Sequence, residues 1–215
     1  MWLPLRLENL IHHRRAMLPT KPAIAAVRQM LVGGDGMAGE SKLARYSEME
    51  SLRDGRRVEI RALRPQDRDG LLAAVGRIGK ESLYRRFFAV KREFSEEETS
   101  FFVNVDFADH VALIAVVEED GRPVIAGGGR YVVVNPGQAE VAFAVVDTCH
   151  GQGIGTMLMR HLVAIARRAD LRELIADVLP DNVPMLKVFE KSGLQSSKRS
   201  ESGSVHVTLQ LGPRD

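Results

Sequence analysis

The sequence predicts a mixed α/β sandwich, one twisted and mostly antiparallel sheet flanked by helices. Two observations predict it. Segments with the two-residue period of strands and segments with helical period follow one another as strand, helices, three strands, helix, strand, helix, strand. The middle strands are joined by tight turns rather than crossovers, which makes those neighbours antiparallel.

Residues 1–56 stand apart from this pattern. They hold short apolar patches and a glycine-rich break, "VGGDGMAGE", with no strand signal, and they are expected to form an extension that is flexible or marginally helical. The folded unit is expected over residues 57–211. Its first strand alternates Val58, Ile60 and Ala62 against Arg57, Glu59 and Arg61. Pro65 and Asp67 then mark a helix start. "ESLYRRFF" and "SEEETSFFVNV" read as two more short helices, the second opening on Ser95 and Glu98 at capping-box spacing. Leu83, Phe87 and Phe88 are the expected core contacts of the first of these two.

Asp120–Gly121 joins two strands as a hairpin. The turn Asn135–Pro136–Gly137 leads into a third, "AEVAFAVVD". A glycine loop and an amphipathic helix follow, with Ile154, Leu158, Leu162, Ile165 and Ala169 on one face and His161 expected on the polar face. "ELIADVLP" is apolar throughout, as suits a strand covered on both sides. A short helix closes near Gly193, and "SVHVTLQL" alternates as the last strand.

Composition narrows the function. The 215 residues carry a formal net charge of +2, without the concentrated basic face of a nucleic-acid binder. The single cysteine, Cys149, excludes an internal disulfide and a multi-cysteine zinc site. No apolar run reaches the roughly 18–20 residues that cross a bilayer. A cytoplasmic protein with no metal, no nucleic-acid partner and no membrane partner is the expectation.

The loop "HGQGIG", His150 to Gly155, carries the chemistry. Alternating glycines let backbone approach a ligand, and the helix start behind them offers unpaired N–H groups and roughly half a positive charge. Together they suit a phosphate. The nucleotide P-loop is excluded because its lysine is missing, and the dinucleotide fingerprint has a different glycine spacing. The loop resembles the acyl-CoA diphosphate loop of the GNAT superfamily of N-acetyltransferases, [QR]-x-x-G-x-[GA], with His150 where that family has Gln or Arg. "DNVPMLKVFEKSGL" resembles the same family's N-x-x-[AS]-x-x-x-[YF]-x-x-x-G-[FL] signature. The front half, "IRALRPQDRDGLLAAV" with "ESLYRRFF", is most like its bacterial protein-lysine acetyltransferase branch.

The resemblance implies a GNAT fold whose sheet splays open at the CoA site. Acetyl-CoA would be the co-substrate. His150, Gly151, Gln152, Gly153, Ile154, Gly155 and Thr156 would hold its diphosphate, Val145 and Val146 would meet its pantetheine arm by backbone, and Asn182 would contact it by side chain. Asn182 reads equally well as a helix cap. Transfer to an amine needs a base, because a lysine has a free pKa near 10.4. Glu140, on the strand before the loop, is the implied general base, and the amide of Val145 the implied oxyanion donor. Many relatives carry a tyrosine as acid for the thiolate where this chain has Phe189. Tyr84 and Tyr131 lie on other elements, so the acid is unassigned. Cys149 reads as a packing residue rather than a nucleophile. The acceptor groove is expected from helices within residues 67–105. A protein lysine is the first choice of acceptor by branch resemblance; a small amine, or an acyl-CoA sensor without catalysis, stays open, and a homodimer is within the expectation.

Overall fold

A computed structural model of the chain describes residues 42–87, 93–201 and 203–212, with side chains omitted for Phe87 and Glu201. The expectations for residues 1–41 and for Phe87 and Phe88 as core residues lie outside what is described. Among the described residues, eight strands form one sheet: β1 (Ser47–Ser51), β2 (Arg57–Ala62), β3 (His110–Glu119), β4 (Arg122–Asn135), β5 (Gln138–Val145), β6 (Glu173–Val178), β7 (Gln195–Glu201) and β8 (Ser204–Gln210). Their order is β1-β2-β3-β4-β5-β6-β8-β7. All neighbours are antiparallel except β5 and β6. The helices are α1 (Arg68–Gly76), α2 (Lys80–Phe87), α3 (Glu96–Val103), α4 (Ile154–Arg168) and α5 (Val183–Glu190).

Local chemistry explains most of these boundaries. Asp120 and Gly121 both have positive φ, 51° and 72°, the backbone of a tight hairpin turn between β3 and β4. The Ser95 hydroxyl accepts from Glu98 N at 3.2 Å, and the Glu98 carboxylate accepts from Ser95 N at 2.8 Å, so the expected capping box opens α3. Gly137 turns the chain into β5 at φ 78°. The parallel pair β5 and β6 needs a crossover, and α4 supplies it.

Two strands escaped the sequence pattern, and they are the two edges. The expectation of no strand before Arg57 is corrected by β1, whose residues are nearly all exposed while pairing Met49 with Glu59. β7, "QSSKRSE", borders β8 and carries Lys198 and Arg199. An edge strand with polar side chains buries little, so it shows no apolar alternation, and its charges discourage pairing with another sheet.

The sheet has two covered faces. On one, α4 lays Leu158, Leu162 and Ile165 against Leu113, Tyr131, Val141 and Phe143, and α5 adds Phe189. Gly129 sits there because a Cβ would come within 2.7 Å of the Phe143 ring. On the other face Ala74, Ile78 and Leu83 cover Leu63, Ala112, Ile114 and Val146. Each fully buried leucine contributes about 1.5–3 kcal/mol. Among the described residues, no helix is long and apolar enough to cross a membrane.

Candidate active site

The glycine loop follows β5 through a short 3-10 turn, Asp147–Cys149. Gly151 has φ 77° and Gly153 φ 97°, conformations that a side chain would strain. Gly153 is the N-cap of α4, with no side-chain cap and no acid in the first turn. The first bond of that helix runs from Met157 N to Gly153 O at 3.0 Å. The N–H groups of Ile154, Gly155 and Thr156 therefore precede any helical partner. Gly155 lets α5 approach, since a Cβ there would meet Val188 at 3.3 Å. The loop is thus an uncapped positive helix end with bare backbone around it.

The half-exposed His150 ring leans back on its own chain. Its Nε2 lies 3.0 Å from Val145 O and 3.6 Å from Asp147 Oδ1, so the ring is turned back onto the strand end. A cation comes from elsewhere. Arg53, in the turn between β1 and β2, donates from Nη1 to Gly151 O at 3.1 Å, and its backbone N meets Gln152 O at 3.4 Å. Sequence reasoning missed Arg53, because 98 residues separate it from Gly151.

The sheet opens beside this loop. β5 and β6 pair only at Gln138 with Glu173, Ala139 with Leu174 and Glu140 with Ile175. β5 runs on to Val145, still held by β4 at Gly127, while β6 departs. Strand alternation decides which groups face the gap. Val146 N donates to Ala126 O at 2.9 Å, so in this register even-numbered residues of the segment turn their backbone toward β4. Odd-numbered residues turn theirs the other way, which places the amides and carbonyls of Phe143 and Val145 toward the gap. Val146 is corrected as a backbone contact. Its N–H is taken by Ala126, its carbonyl accepts from Cys149 N at 2.8 Å, and its side chain is fully buried. Two successive strand residues cannot both face one gap, and that alternation would have pointed to Phe143.

Glu140 ends the paired part of β5, opposite Val132 and Ile175. Its carboxyl is pushed up to about 7: desolvation by burial is the main cause, the Arg86 charge opposes it, and Asp177 adds to it. Asp177 is itself 3.1 Å from His206 Nδ1. Phe143 lies three residues, about 10 Å, along the strand from Glu140, a span that an amine and one water can bridge.

Asn182 caps α5, accepting from Met185 N at 3.2 Å with its Oδ1. Phe189 is buried edge-on to Phe143, ring centroids 6.4 Å apart. Tyr84 is exposed on α2, and the buried Tyr131 is on the α4 face with its hydroxyl held in the neutral form by burial. Cys149 is buried in the core. His161 is not on a polar face, as the helical pattern suggested. It is buried, with the Tyr46 hydroxyl on Nδ1 and Glu50 Oε1 3.1 Å from Nε2, because β1 and the chain before it cover that side of α4. Among the described residues, no group of three His, Cys, Asp or Glu is arranged to hold a metal ion.

Comparison with known proteins bears on this geometry. Residues 80–194 match the family model for the acetyltransferase (GNAT) family. The acetyltransferase PA5475 of Pseudomonas aeruginosa is 35% identical over 127 residues, 59% of this chain and 68% of that one. The acetyltransferase Pat of Mycolicibacterium smegmatis is 34% identical over 166 residues, 76% of this chain and 49% of that one, so the match spans about half of its length. The crystal structure of the GNAT domain of S. lividans PAT superposes with a TM-score of 0.70 at 30% identity, covering 80% of this chain and 99% of that one.

Proposed function

The chain belongs to the GNAT family of acetyltransferases, and from that premise we propose that it moves an acetyl group from acetyl-CoA to a primary amine, a protein lysine first among them, with Glu140 as general base. One observation carries the reading. A gap between β5 and β6, an uncapped helix start and a carboxyl near pKa 7 all fall on one strand and the loop that follows it. Acetyl-CoA supplies an activated acyl group, and every part of it has a counterpart here.

The amides of Ile154, Gly155 and Thr156 suit the diphosphate, with Gly151, Gln152 and Gly153 shaping the loop and Arg53 adding charge beside it. The gap-facing backbone of Phe143 and Val145 suits the pantetheine amides. One of those two amides serves as oxyanion donor, aimed in advance at charge that develops on the acyl oxygen. Asn182, used as a cap through Oδ1, keeps its amide N–H₂ for the same ligand. Glu140 takes the proton of the incoming ammonium, directly or through one water. A carboxyl near 7 matches that task better than one at 4.5, because it is both ionised often enough and basic enough. Phe189 gives no proton, so the departing thiolate takes one from solvent.

The lysine acceptor rests on the front-half resemblance and is in keeping with the similarity to the Pat acetyltransferases. The catalytic unit is proposed to span residues 57–211, with β1 joined to its edge. The test is a cell extract incubated with the protein and labelled acetyl-CoA, read by mass spectrometry. Label on lysine side chains is the expected result. Label confined to small amines moves the acceptor class, and CoA binding without any transfer replaces catalysis by sensing.

A further inference from the structure

The face of the sheet that bears Glu140 has a floor of small residues. The ladder sets Gly128 beside Ala144 and Arg130 beside Ala142, with Ala112 of β3 on the far side of Arg130. Under α1 and α3 these residues leave a cavity of about 80 Å³ with mainly apolar walls, and two arginines line it, Arg130 from β4 and Arg86 from α2. Arg130 Nη1 is 3.2 Å from His110 Nε2, and its guanidinium lies 4.6 Å over the Phe102 ring. Neither contact brings a negative charge.

Burial first, then repulsion from Arg86, lowers the Arg130 pKa to about 9. Burial lowers the Arg86 pKa too, and the Glu140 charge opposes that. Arg130 thus lines the cavity with an imidazole nitrogen and a phenyl face as its side-chain contacts. A partly buried charge facing no carboxylate is costly to keep, and such placements cluster where a ligand completes them.

We propose that this cavity is a carboxylate subsite, in which Arg130 receives a carboxylate carried by one of the two substrates beside the centre of acyl transfer. The apolar walls take the carbon chain and Arg130 takes its end. Arg130 is two residues, about 7 Å, along β4 from Val132, the residue opposite Glu140. An amino acid can therefore present its amine toward Glu140 and its carboxylate to Arg130. A dicarboxylic acyl thioester can instead present its free end there. The carboxylate takes no part in bond making. The amine nitrogen forms the C–N bond to the thioester carbonyl carbon and the C–S bond breaks; the nitrogen sheds two protons, one before attack and one after it, through Glu140 to water, and the thiolate takes one proton from solvent. The inference rests on the reading of Glu140 and the glycine loop given above.

Wild type, Arg130→Met and Arg130→Lys are compared on two pairs of probes. One pair is leucine and leucinamide with acetyl-CoA. The other is succinyl-CoA and butyryl-CoA with a lysine peptide. For one pair, the ratio of kcat/KM for the carboxylate member to that for the neutral member is expected to fall at least tenfold in Arg130→Met and to recover in part in Arg130→Lys. The pair that responds names the source of the carboxylate. A ratio that is the same in all three proteins for both pairs overturns the inference. Calorimetry with CoA on each protein reports folding and the diphosphate loop separately. Wild type that binds CoA and turns over the neutral probes without an Arg130-dependent ratio sinks the subsite alone; wild type that does not bind CoA sinks the subsite and the acetyltransfer reading together.

Discussion

The Arg53 guanidinium donates to the Gly151 carbonyl at 3.1 Å and so ties the turn between β1 and β2 to the glycine loop. Arg53→Ala removes that tie and a positive charge beside the loop. The KM for acetyl-CoA is expected to rise about three- to tenfold, with kcat changed little, since the interaction exists before and during the reaction alike. Acetyl-pantetheine, which has no diphosphate, should show no such change. Steady-state kinetics with the two donors checks this.

Glu140→Gln keeps shape and removes the proposed base. A loss of about 10²- to 10⁴-fold in kcat is expected, with CoA affinity retained. In wild type, kcat/KM should rise with pH through about 7, where the buried carboxyl ionises. The ascending limb should be absent in the variant. A pH series with a fixed amine acceptor reads both outcomes.

The same carboxyl makes stability depend on pH. Its folded pKa, about 7, lies above the ordinary 4.5. Between those values the folded state binds more protons than the unfolded chain, so stability falls as pH rises through that window. The ionised group then opposes folding by roughly 3 kcal/mol above pH 7. Urea melts at pH 5 and pH 8 should therefore show Glu140→Gln gaining on wild type at the higher pH.

His161 joins Tyr46 and Glu50 to α4. His161→Leu leaves a half-buried hydroxyl and a carboxylate without this partner, a loss of about 1–3 kcal/mol. The break should be local. Amide exchange is expected to quicken in residues 47–51 before it quickens in β3 and β4, which hydrogen-exchange mass spectrometry resolves.

Much of this was legible because the signals were local. The Asp120–Gly121 turn, the Ser95–Glu98 capping box and the apolar stripe of α4 each lie within a few residues of sequence. So does the glycine loop, whose positive φ values at Gly151 and Gly153 are what such spacing asks for. The misses share a different cause. β1 and β7 bury too little to pattern their side chains. Arg53 and His161 take their surroundings from β1 and its flanks, so missing that strand hid both. Val146 was paired with Val145 by adjacency, whereas the hydrogen-bond parity of the ladder selects Phe143. Arg130 carries no local sequence signal; the register alone sets it on the same face as Glu140.

The phenyl ring of Phe189, packed on Phe143, has one more consequence. A phenol in that place would titrate in alkali and shut the reaction down as it lost its proton. With a phenyl there and the thiolate proposed to take its proton from water, the rate curve should climb once and then hold level, one-sided rather than bell-shaped.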